Sequence, residues 1–263
     1  MSLVFSALTP HPPLLIPNIG KENISKLAAT QKAMIDLEQH LYTTKPDTII
    51  FITPHGQTFP ESFTINTTPE YQFDFKDFGD LATTGKFKSD LNLISNIANA
   101  AKRQHQPLVL HSEKSLDYGT AIPLFYLSQH LPNIKIIPLS HSALGLKDHF
   151  DFGYFLKDVI MNSEKRIAVI ASGDLSHRLS PNSPAGFSPL AKKFDDTLIE
   201  TLKTGNISGL INLDETLRQE AEECGLKSLL ILMGILRNMS YDLKLESYEN
   251  PFGIGYLVAN FSL

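Results

Sequence analysis

Short, continuous apolar runs alternate along the chain with longer segments whose apolar positions recur at helical spacing. The runs Leu3–Leu8, Thr48–Ile52, Ile134–Leu139 and Ile167–Ala171 are typical of strands that are buried on both faces. Between the first two runs, Ile24–Thr43 has the apolar spacing of an amphipathic helix. This alternation predicts an α/β fold with a central, mostly parallel sheet that is flanked by helices on both faces.

The rest of the chain continues the same alternation. Residues 60–85 are rich in aromatic and polar residues, and we predict a strand followed by a long loop there, with a second loop at residues 178–188. Neither an internal repeat nor a linker is evident, so we expect one domain over residues 1–263. The other predicted elements are strands at Leu108–Leu110, Tyr241–Tyr248 and Gly253–Asn260, and helices at Leu91–Lys102, Ala121–Leu131, Phe150–Met161, Leu190–Leu202 and Glu220–Leu236.

Composition and common motifs narrow the class of protein. The 263 residues are 42% hydrophobic and 19% charged, with a net charge of −5 and no basic cluster, so we expect no nucleic-acid partner. The longest apolar run, Leu229–Leu236, is too short to span a bilayer. The N-terminal segment lacks a secretion pattern and the single cysteine fits a reducing compartment, so we expect a cytoplasmic protein. No nucleophile elbow or phosphate-binding loop occurs, and we interpret Gly253–Gly255 as structural.

Several turn-like segments carry side chains that could bind a metal or move a proton. In two of them a short apolar strand runs into Thr-Pro-His, which places His11 and His55 at strand ends, where ligands collect in open α/β sheets. Proline restricts the local backbone, and such rigidity suits a metal ligand. The alternative is that both are turn histidines bound to the backbone. The five segments are Thr9–Pro13, Thr53–Gly56, Leu116–Thr120, Ser172–His177 and Glu222–Gly225.

Two of these segments hold a third histidine and a choice of third ligands. His177 follows a predicted strand, and an imidazole can take up and return a proton near neutral pH. Asp174 either orients that imidazole or caps the turn. Glu222 and Glu223 stand at the start of a predicted helix, where the helix dipole and exposure usually explain carboxylates. Cys224 is either a ligand for a soft metal or a small buried hydrophobic residue.

Taken together, these motifs resemble the class III extradiol ring-cleavage dioxygenase superfamily, in its catalytic B-subunit fold. The closest similarity is to the B-subunit-like proteins of the AmmeMemoRadiSam group, which are associated with AMMECR1 domains and related to Memo. The resemblance covers nearly the whole chain, and the order and spacing of its motifs are more specific than any one of them. The matching segments are Thr9–Pro13, Pro54–Gly56, Gly173–His177, Glu223–Leu229 and Ser247–Tyr256.

The resemblance implies a metal centre and a role for each of its residues. It implies that His11, His55 and Glu223 bind Fe(II), with Zn or Cu as other candidate metals, and that His177 is the catalytic acid/base. A shift of one residue would select Glu222 or Cys224 as the third ligand, and Memo proteins use a cysteine near this position.

One motif departs from the superfamily pattern. Asp117-Tyr118-Gly119 stands where the dioxygenases often have Asp-His-Gly, whose histidine helps to bind substrate and oxygen. A phenol can donate a hydrogen bond but is not a cation at neutral pH. Tyr118 and Asp174 are therefore our candidate substrate-binding residues, and metal binding does not by itself imply catechol cleavage.

Three functions follow as hypotheses. The first is a non-haem Fe(II)-dependent, extradiol dioxygenase-like oxidoreductase that cleaves or oxygenates a catechol-type aromatic substrate with O₂. The second is a Memo-like metal-binding or interaction protein without ring-cleaving activity, whose partner would be an AMMECR1-type or radical-enzyme protein on a separate chain. The third is a Zn-dependent hydrolase on the same scaffold. Self-association remains open.

Overall fold

Nine helices and ten strands follow one another in the computed structural model, which describes residues 2–263. The strands are β1 (Leu3–Thr9), β2 (Thr48–Thr53), β3 (Phe63–Asn66), β4 (Glu70–Phe75), β5 (Asp80–Ser89), β6 (Leu108–His111), β7 (Lys135–Ser140), β8 (Ile167–Ser172), β9 (Asp242–Glu249) and β10 (Tyr256–Ser262). The helices are α1 (Pro17–Gly20), α2 (Ala28–Thr44), α3 (Leu91–Arg103), α4 (Tyr118–Leu127), α5 (Leu146–Met161), α6 (Ala191–Lys203), α7 (Ile207–Ile211), α8 (Glu215–Ala221) and α9 (Leu226–Ile235).

All ten strands belong to one mixed sheet. Its main path runs β4-β5-β7-β2-β8-β1-β10-β9, while β3 pairs with both β6 and β7. The pairs from β5 through β7, β2 and β8 to β1 are parallel, whereas β4 and the β10-β9 pair add antiparallel strands at the two ends. This confirms the predicted fold class, a single α/β domain with a mostly parallel sheet between helices.

The central strand β2 is buried on both faces, as its continuous apolar sequence predicts. Ile50 and Ile52 face a core that includes residues of α3, α5 and α9, whereas Ile49 and Phe51 face a second core built with α2 and α4. All four side chains are fully buried. Side chains on a strand point alternately to its two faces, so only a strand with apolar residues at every position can fill both cores.

The prediction of one strand and a long loop for residues 60–85 is wrong. The segment forms β3, β4 and β5, and the last two pair as an antiparallel hairpin. Tyr71, Phe73 and Phe75 alternate along β4 with less buried polar residues, so their aromatic rings reach the core. The high aromatic content of this segment therefore marks a half-buried strand.

The predicted helix Glu220–Leu236 is also wrong, because two helices meet there at a break. Helix α8 ends at Ala221, and Glu222 follows it with a left-handed backbone (φ 50°). Helix α9 begins only at Leu226, so residues 222–225 form a turn. This turn brings Cys224 to the edge of the sheet.

The carboxyl ends of the central parallel strands are aligned in one row. Thr9 of β1 is in register with Ser172 of β8, and Thr53 of β2 is in register with Ser140 of β7. The segments that follow these strands therefore share one edge of the sheet. None of the helices in residues 2–263 has the length and apolarity that crossing a membrane would require.

Candidate metal centre

Two imidazoles and one thiol converge at this edge of the sheet. His11 follows β1, His55 follows β2, and Cys224 lies in the turn between α8 and α9. One ligand atom from each of the three lies within 4.8 Å of the other two. The Nε2 atoms of His11 and His55 are 3.0 Å apart, and the Sγ atom of Cys224 is 3.6 Å from Nε2 of His11. We call these three residues the ligand cluster.

Two of the three spacings in the ligand cluster fit a single transition-metal ion, namely those from Nε2 of His11 to Nε2 of His55 and to Sγ of Cys224. Two nitrogens that are each about 2.1 Å from one ion lie about 3.0 to 3.4 Å apart when the bond angle is between about 90° and 110°. A sulfur about 2.3 Å and a nitrogen about 2.1 Å from the same ion lie about 3.6 Å apart at an angle near 110°. The observed 3.0 Å and 3.6 Å agree with both values. Imidazole and thiolate donors suit Zn, Fe or Cu rather than Mg or Ca.

The hydroxyl of Ser172 selects the tautomer of His11 that can bind a metal. The Ser172 hydroxyl donates to the carbonyl oxygen of Gly119 at 2.5 Å, and its oxygen lies 2.9 Å from Nδ1 of His11. Because that hydroxyl proton is already used, Ser172 accepts a hydrogen bond from Nδ1–H. The lone pair of His11 is then on Nε2, which faces His55 and Cys224. Ser172 was not among the predicted site residues, since only the alignment of β8 with β1 places it beside His11.

Burial keeps both imidazoles of the cluster neutral. Desolvation, and then the nearby His177, lower the pKa of His11 to about 3. Desolvation, followed by the effect of His11, lowers the pKa of His55 to about 4. A histidine must be neutral to bind a metal. The two side chains are therefore ready to act as ligands at neutral pH.

Two glycines allow Cys224 to reach the histidines. A Cβ on Gly173 would lie 2.1 Å from the Cα of Gly225, so the turns after β8 and before α9 are in backbone contact. The amide of Asp174 donates to Sγ of Cys224 at 3.2 Å, and the amide of Cys224 donates to the carbonyl oxygen of Asp174 at 3.3 Å. Burial, and then the Asp174 carboxylate, raise the pKa of the thiol well above its usual value. A bound cation would favour the thiolate form.

Glu223, the third ligand that the family resemblance implies, lies outside the ligand cluster. Its Oε2 atom accepts a 2.7 Å hydrogen bond from the amide of Leu226 in the first turn of α9. Its Oε1 atom is 3.7 Å from Nε of Arg218. The structure therefore brings Cys224, and not Glu223, to the two imidazoles. The physical reason is the break at Glu222, which turns the neighbouring side chains in different directions.

Asp174 supports the backbone of the cluster. Its Oδ1 atom accepts a 2.9 Å hydrogen bond from the amide of His11, and Oδ2 is 3.8 Å from Nε2 of the same residue. Burial raises the pKa of this carboxyl to about 6, although the His11 amide opposes the shift. This contact with the His11 amide joins the turn after β8 to the segment after β1, whereas the two roles that the sequence left open concerned the His177 imidazole and the turn of Asp174 itself.

Tyr118 lies directly against the second imidazole. Its ring stacks on that of His55 with centroids 4.3 Å apart, and its hydroxyl is 2.9 Å from Nε2 of His55. Burial is the main cause that raises the pKa of Tyr118 to about 12. The phenol is therefore a neutral hydrogen-bond donor at the position where a metal would bind. Tyr118 begins α4 because Asp117 caps this helix by accepting the amide of Thr120.

A cavity of about 590 Å³ opens beside the ligand cluster. His177 faces it, and among residues 2–263 the buried Nδ1 atom of this histidine has no hydrogen-bond partner. Of the aromatic residues at 59–78, only Phe78 takes part in the wall. Phe252 and Tyr256 were not predicted as site residues. Their place in the wall depends on the position of β10 and of the turn before it. The residues that line the cavity include His11, Phe78, Tyr118, His177, Phe252 and Tyr256.

Comparison with protein families agrees with this fold. The profile described as "Catalytic LigB subunit of aromatic ring-opening dioxygenase" matches residues 6–259. The chain belongs to the LigB family. This confirms the superfamily predicted from the motifs, while the closer assignment to the AmmeMemoRadiSam group stays a prediction.

Two curated relatives extend the comparison of this LigB-family chain. It is 31% identical over 265 residues to Protein CA_C1420 of Clostridium acetobutylicum, a match that covers 97% of this chain and 57% of the relative. It is 23% identical over 181 residues to a "4,5-DOPA dioxygenase extradiol" of Mirabilis jalapa, which covers 66% of each. The chain thus spans less than two thirds of the length of both relatives.

A solved structure resembles the fold of this LigB-family chain throughout. The crystal structure of the uncharacterized protein JW3007 from Escherichia coli K12 superposes with a TM-score of 0.68 at 16% sequence identity. The similarity covers 98% of this chain and 100% of the other, which supports the fold assignment.

Proposed function

We propose that this LigB-family chain is a mononuclear, metal-dependent oxidoreductase that acts with O₂ on a small aromatic compound. The observation that carries the proposal is the position of the cavity, because aromatic and proline side chains line it and His11 of the ligand cluster borders it. A planar phenol or catechol matches such walls in shape and polarity. The similarity to a protein named 4,5-DOPA dioxygenase extradiol supports a catechol-type substrate.

The metal would be held by His11, His55 and Cys224. When bound, it would supply Lewis acidity and the redox chemistry with O₂. The family resemblance favours Fe(II), whereas the thiolate of Cys224 also suits Zn or Cu(I). Ser172 fixes the tautomer of His11, and outer partners of this kind orient metal ligands in many proteins.

His177 is the proposed proton acceptor. It faces the cavity, and its Nδ1 atom has no partner within residues 2–263. Because Nδ1 is buried, a phenolic hydroxyl in the cavity would give its proton to the other ring nitrogen, Nε2. The phenol of Tyr118 would donate a hydrogen bond to an oxygen of the substrate, while Phe252 and Phe78 would exclude water.

A second candidate function is metal binding without ring cleavage, as in the Memo-like hypothesis. The specific observation that favours it is the replacement of the carboxylate ligand by Cys224, together with Tyr118 in place of a histidine. In that case the cavity would take part in the interaction with an AMMECR1-type or radical-enzyme partner. A hydrolase that uses Zn and His177 is the third hypothesis on the same scaffold.

Elemental analysis and oxygen uptake separate these functions. The protein would be purified without oxygen, its bound metals quantified, and oxygen consumption measured with a panel of catechols. Stoichiometric iron and catechol-dependent uptake that His177→Ala abolishes would support the oxidoreductase. Copper without oxygen uptake would support the second function, and zinc with hydrolysis alone the third. Loss of metal in Glu223→Gln but not in Cys224→Ser would contradict the proposed ligand set.

A further inference from the structure

Asp195 is a buried carboxylate next to the His177 turn, and the proposed chemistry does not use it. It lies in α6 with no measurable exposure, and no Lys, Arg or His in residues 2–263 forms a salt bridge with it. A buried charge without a cation is costly unless hydrogen bonds satisfy it. Two do so, from the amide of Ser176 to Oδ1 at 2.9 Å and from the hydroxyl of Tyr248 to Oδ2 at 2.7 Å.

The amide that donates to Asp195 belongs to Ser176, the residue immediately before His177. The other contacts of this turn go to two neighbours. The hydroxyl of Ser176 and the amide of His177 both donate to the carbonyl oxygen of Ala221, at 3.0 Å and 2.9 Å. The carbonyl oxygen of Ser176 accepts the amide of Gly255 at 2.9 Å. Asp195 therefore completes the hydrogen bonding of Ser176.

The orientation of the His177 ring depends on this backbone. Its Nδ1 atom is buried and has no partner in residues 2–263, so no hydrogen bond to that nitrogen fixes the ring. A side chain without such a bond follows the main chain that carries it and the walls that it touches. A shift of the turn would therefore move the imidazole relative to the ligand cluster.

The motif at Ser247–Tyr256 meets Asp195 from the other side. Tyr248 in β9 supplies the second hydrogen bond. A Cβ on Gly255 would lie 2.2 Å from Oδ2 of Asp195, so only glycine allows the start of β10 to approach the carboxylate so closely. The glycine that the sequence left as structural thus borders the same buried group.

We propose that Asp195 is a positioning residue that fixes the turn at Ser176 and thereby aims the His177 imidazole into the cavity. Tyr248 and Gly255 in turn hold the carboxylate in place. The effect of Asp195 on turnover rests on the proposed function, whereas its effect on the geometry of His177 does not. Burial, the largest cause, raises the pKa of this carboxyl to about 6, while the hydrogen bonds from Tyr248 and Ser176 oppose the shift.

The test is NMR spectroscopy of the full chain, which requires neither a bound metal nor turnover. Two readouts are measured, namely hydrogen exchange of the Ser176 amide and NOEs between the His177 ring and the side chains that line the cavity. Asp195→Ala should lose the amide protection and these NOEs, whereas Asp195→Asn, which keeps an oxygen acceptor, should retain both. The matched control is Asp196→Asn, which removes the charge of the exposed neighbouring carboxylate that pairs with Lys192.

A folded Asp195→Ala protein with wild-type amide protection and wild-type NOEs would overturn the proposal. If that variant does not fold, Tyr248→Phe provides the test, because it removes one hydroxyl from Asp195. It should accelerate exchange of the Ser176 amide, and unchanged exchange would overturn the proposal too. Failure of the proposed function would appear separately, as absent oxygen uptake by the unsubstituted protein.

Discussion

Replacement of Cys224 by serine should remove metal binding and leave the fold intact. The substitution changes one atom, and the amide of Asp174 can still donate to the new hydroxyl. A serine hydroxyl is protonated at neutral pH, however, and is not among the usual ligands of a protein-bound transition metal. Of the ligand cluster, only His11 and His55 then remain.

The size of the effect can be worked out for Zn²⁺ as the probe. At a free Zn²⁺ concentration about 100 times Kd, binding stabilises the folded protein by about 2.7 kcal/mol. For a chain of this length, each kcal/mol raises Tm by about 2 to 4 °C, so the wild-type protein should gain about 5 to 10 °C. Loss of an outer partner already weakens metal binding by about 10- to 100-fold, and loss of a ligand should cost more. A 100-fold loss leaves about 0.4 kcal/mol and a gain of about 1 °C at the same Zn²⁺ concentration.

The assay is a thermal melt with Zn²⁺ and with a chelator, together with metal analysis after gel filtration. Glu223→Gln is the matched control, because it alters the adjacent side chain and keeps an oxygen acceptor for the amide of Leu226. That variant should respond to Zn²⁺ like the wild type. The reasoning fails if Cys224→Ser keeps the full Tm increase, or if Glu223→Gln is the variant that loses it.

Three further predictions concern the surroundings of the cluster. His177→Ala should keep stoichiometric metal and lose any catechol-dependent oxygen uptake, and loss of metal in this variant would instead make His177 a ligand. Ser172→Ala should weaken metal binding by about 10- to 100-fold in a competition titration with a chelator, because Nδ1 of His11 loses its acceptor. Gly173→Ala should lower the free energy of unfolding by about 1 to 3 kcal/mol or more in urea, since its Cβ would overlap the backbone of Gly225. Near-wild-type stability of that last variant would show that the two turns can separate at little cost.

The fold and two of the three residues of the ligand cluster could be predicted from local sequence. The apolar run of β2 ends at Thr-Pro-His, and the carboxyl ends of parallel strands meet at one edge of the sheet. This geometry brings His11 and His55 together whatever the details of the helices. By contrast, the hairpin of β4 and β5 was missed because β4 alternates aromatic with polar residues instead of forming a continuous apolar run, and β5 is largely polar and exposed.

The third residue of the ligand cluster could not be predicted from local sequence, because its position depends on where a helix ends. Glu222, Glu223 and Cys224 occupy consecutive positions, and an uninterrupted helix would turn each about 100° from the last. The left-handed conformation at Glu222 ends α8 instead, and the contact between Gly173 and Gly225 sets the position of the following turn. Both features depend on the tertiary structure. A shift of one position along this turn would place a hard carboxylate, instead of a soft thiolate, next to the two imidazoles.

That exchange preserves the charge of the centre while it changes the metal preference. A carboxylate and a thiolate each bring one negative charge, so the attraction of an anionic phenolate to a divalent ion is similar in both cases. The two ligands differ in softness, and a soft thiolate favours Zn and Cu(I) more than a carboxylate does. Tyr118, a neutral phenol, also cannot supply the positive charge of a histidine beside an oxygen ligand. Under the proposed function, binding of an aromatic substrate and cleavage of its ring are therefore separable, and the metal that the protein takes up would distinguish them.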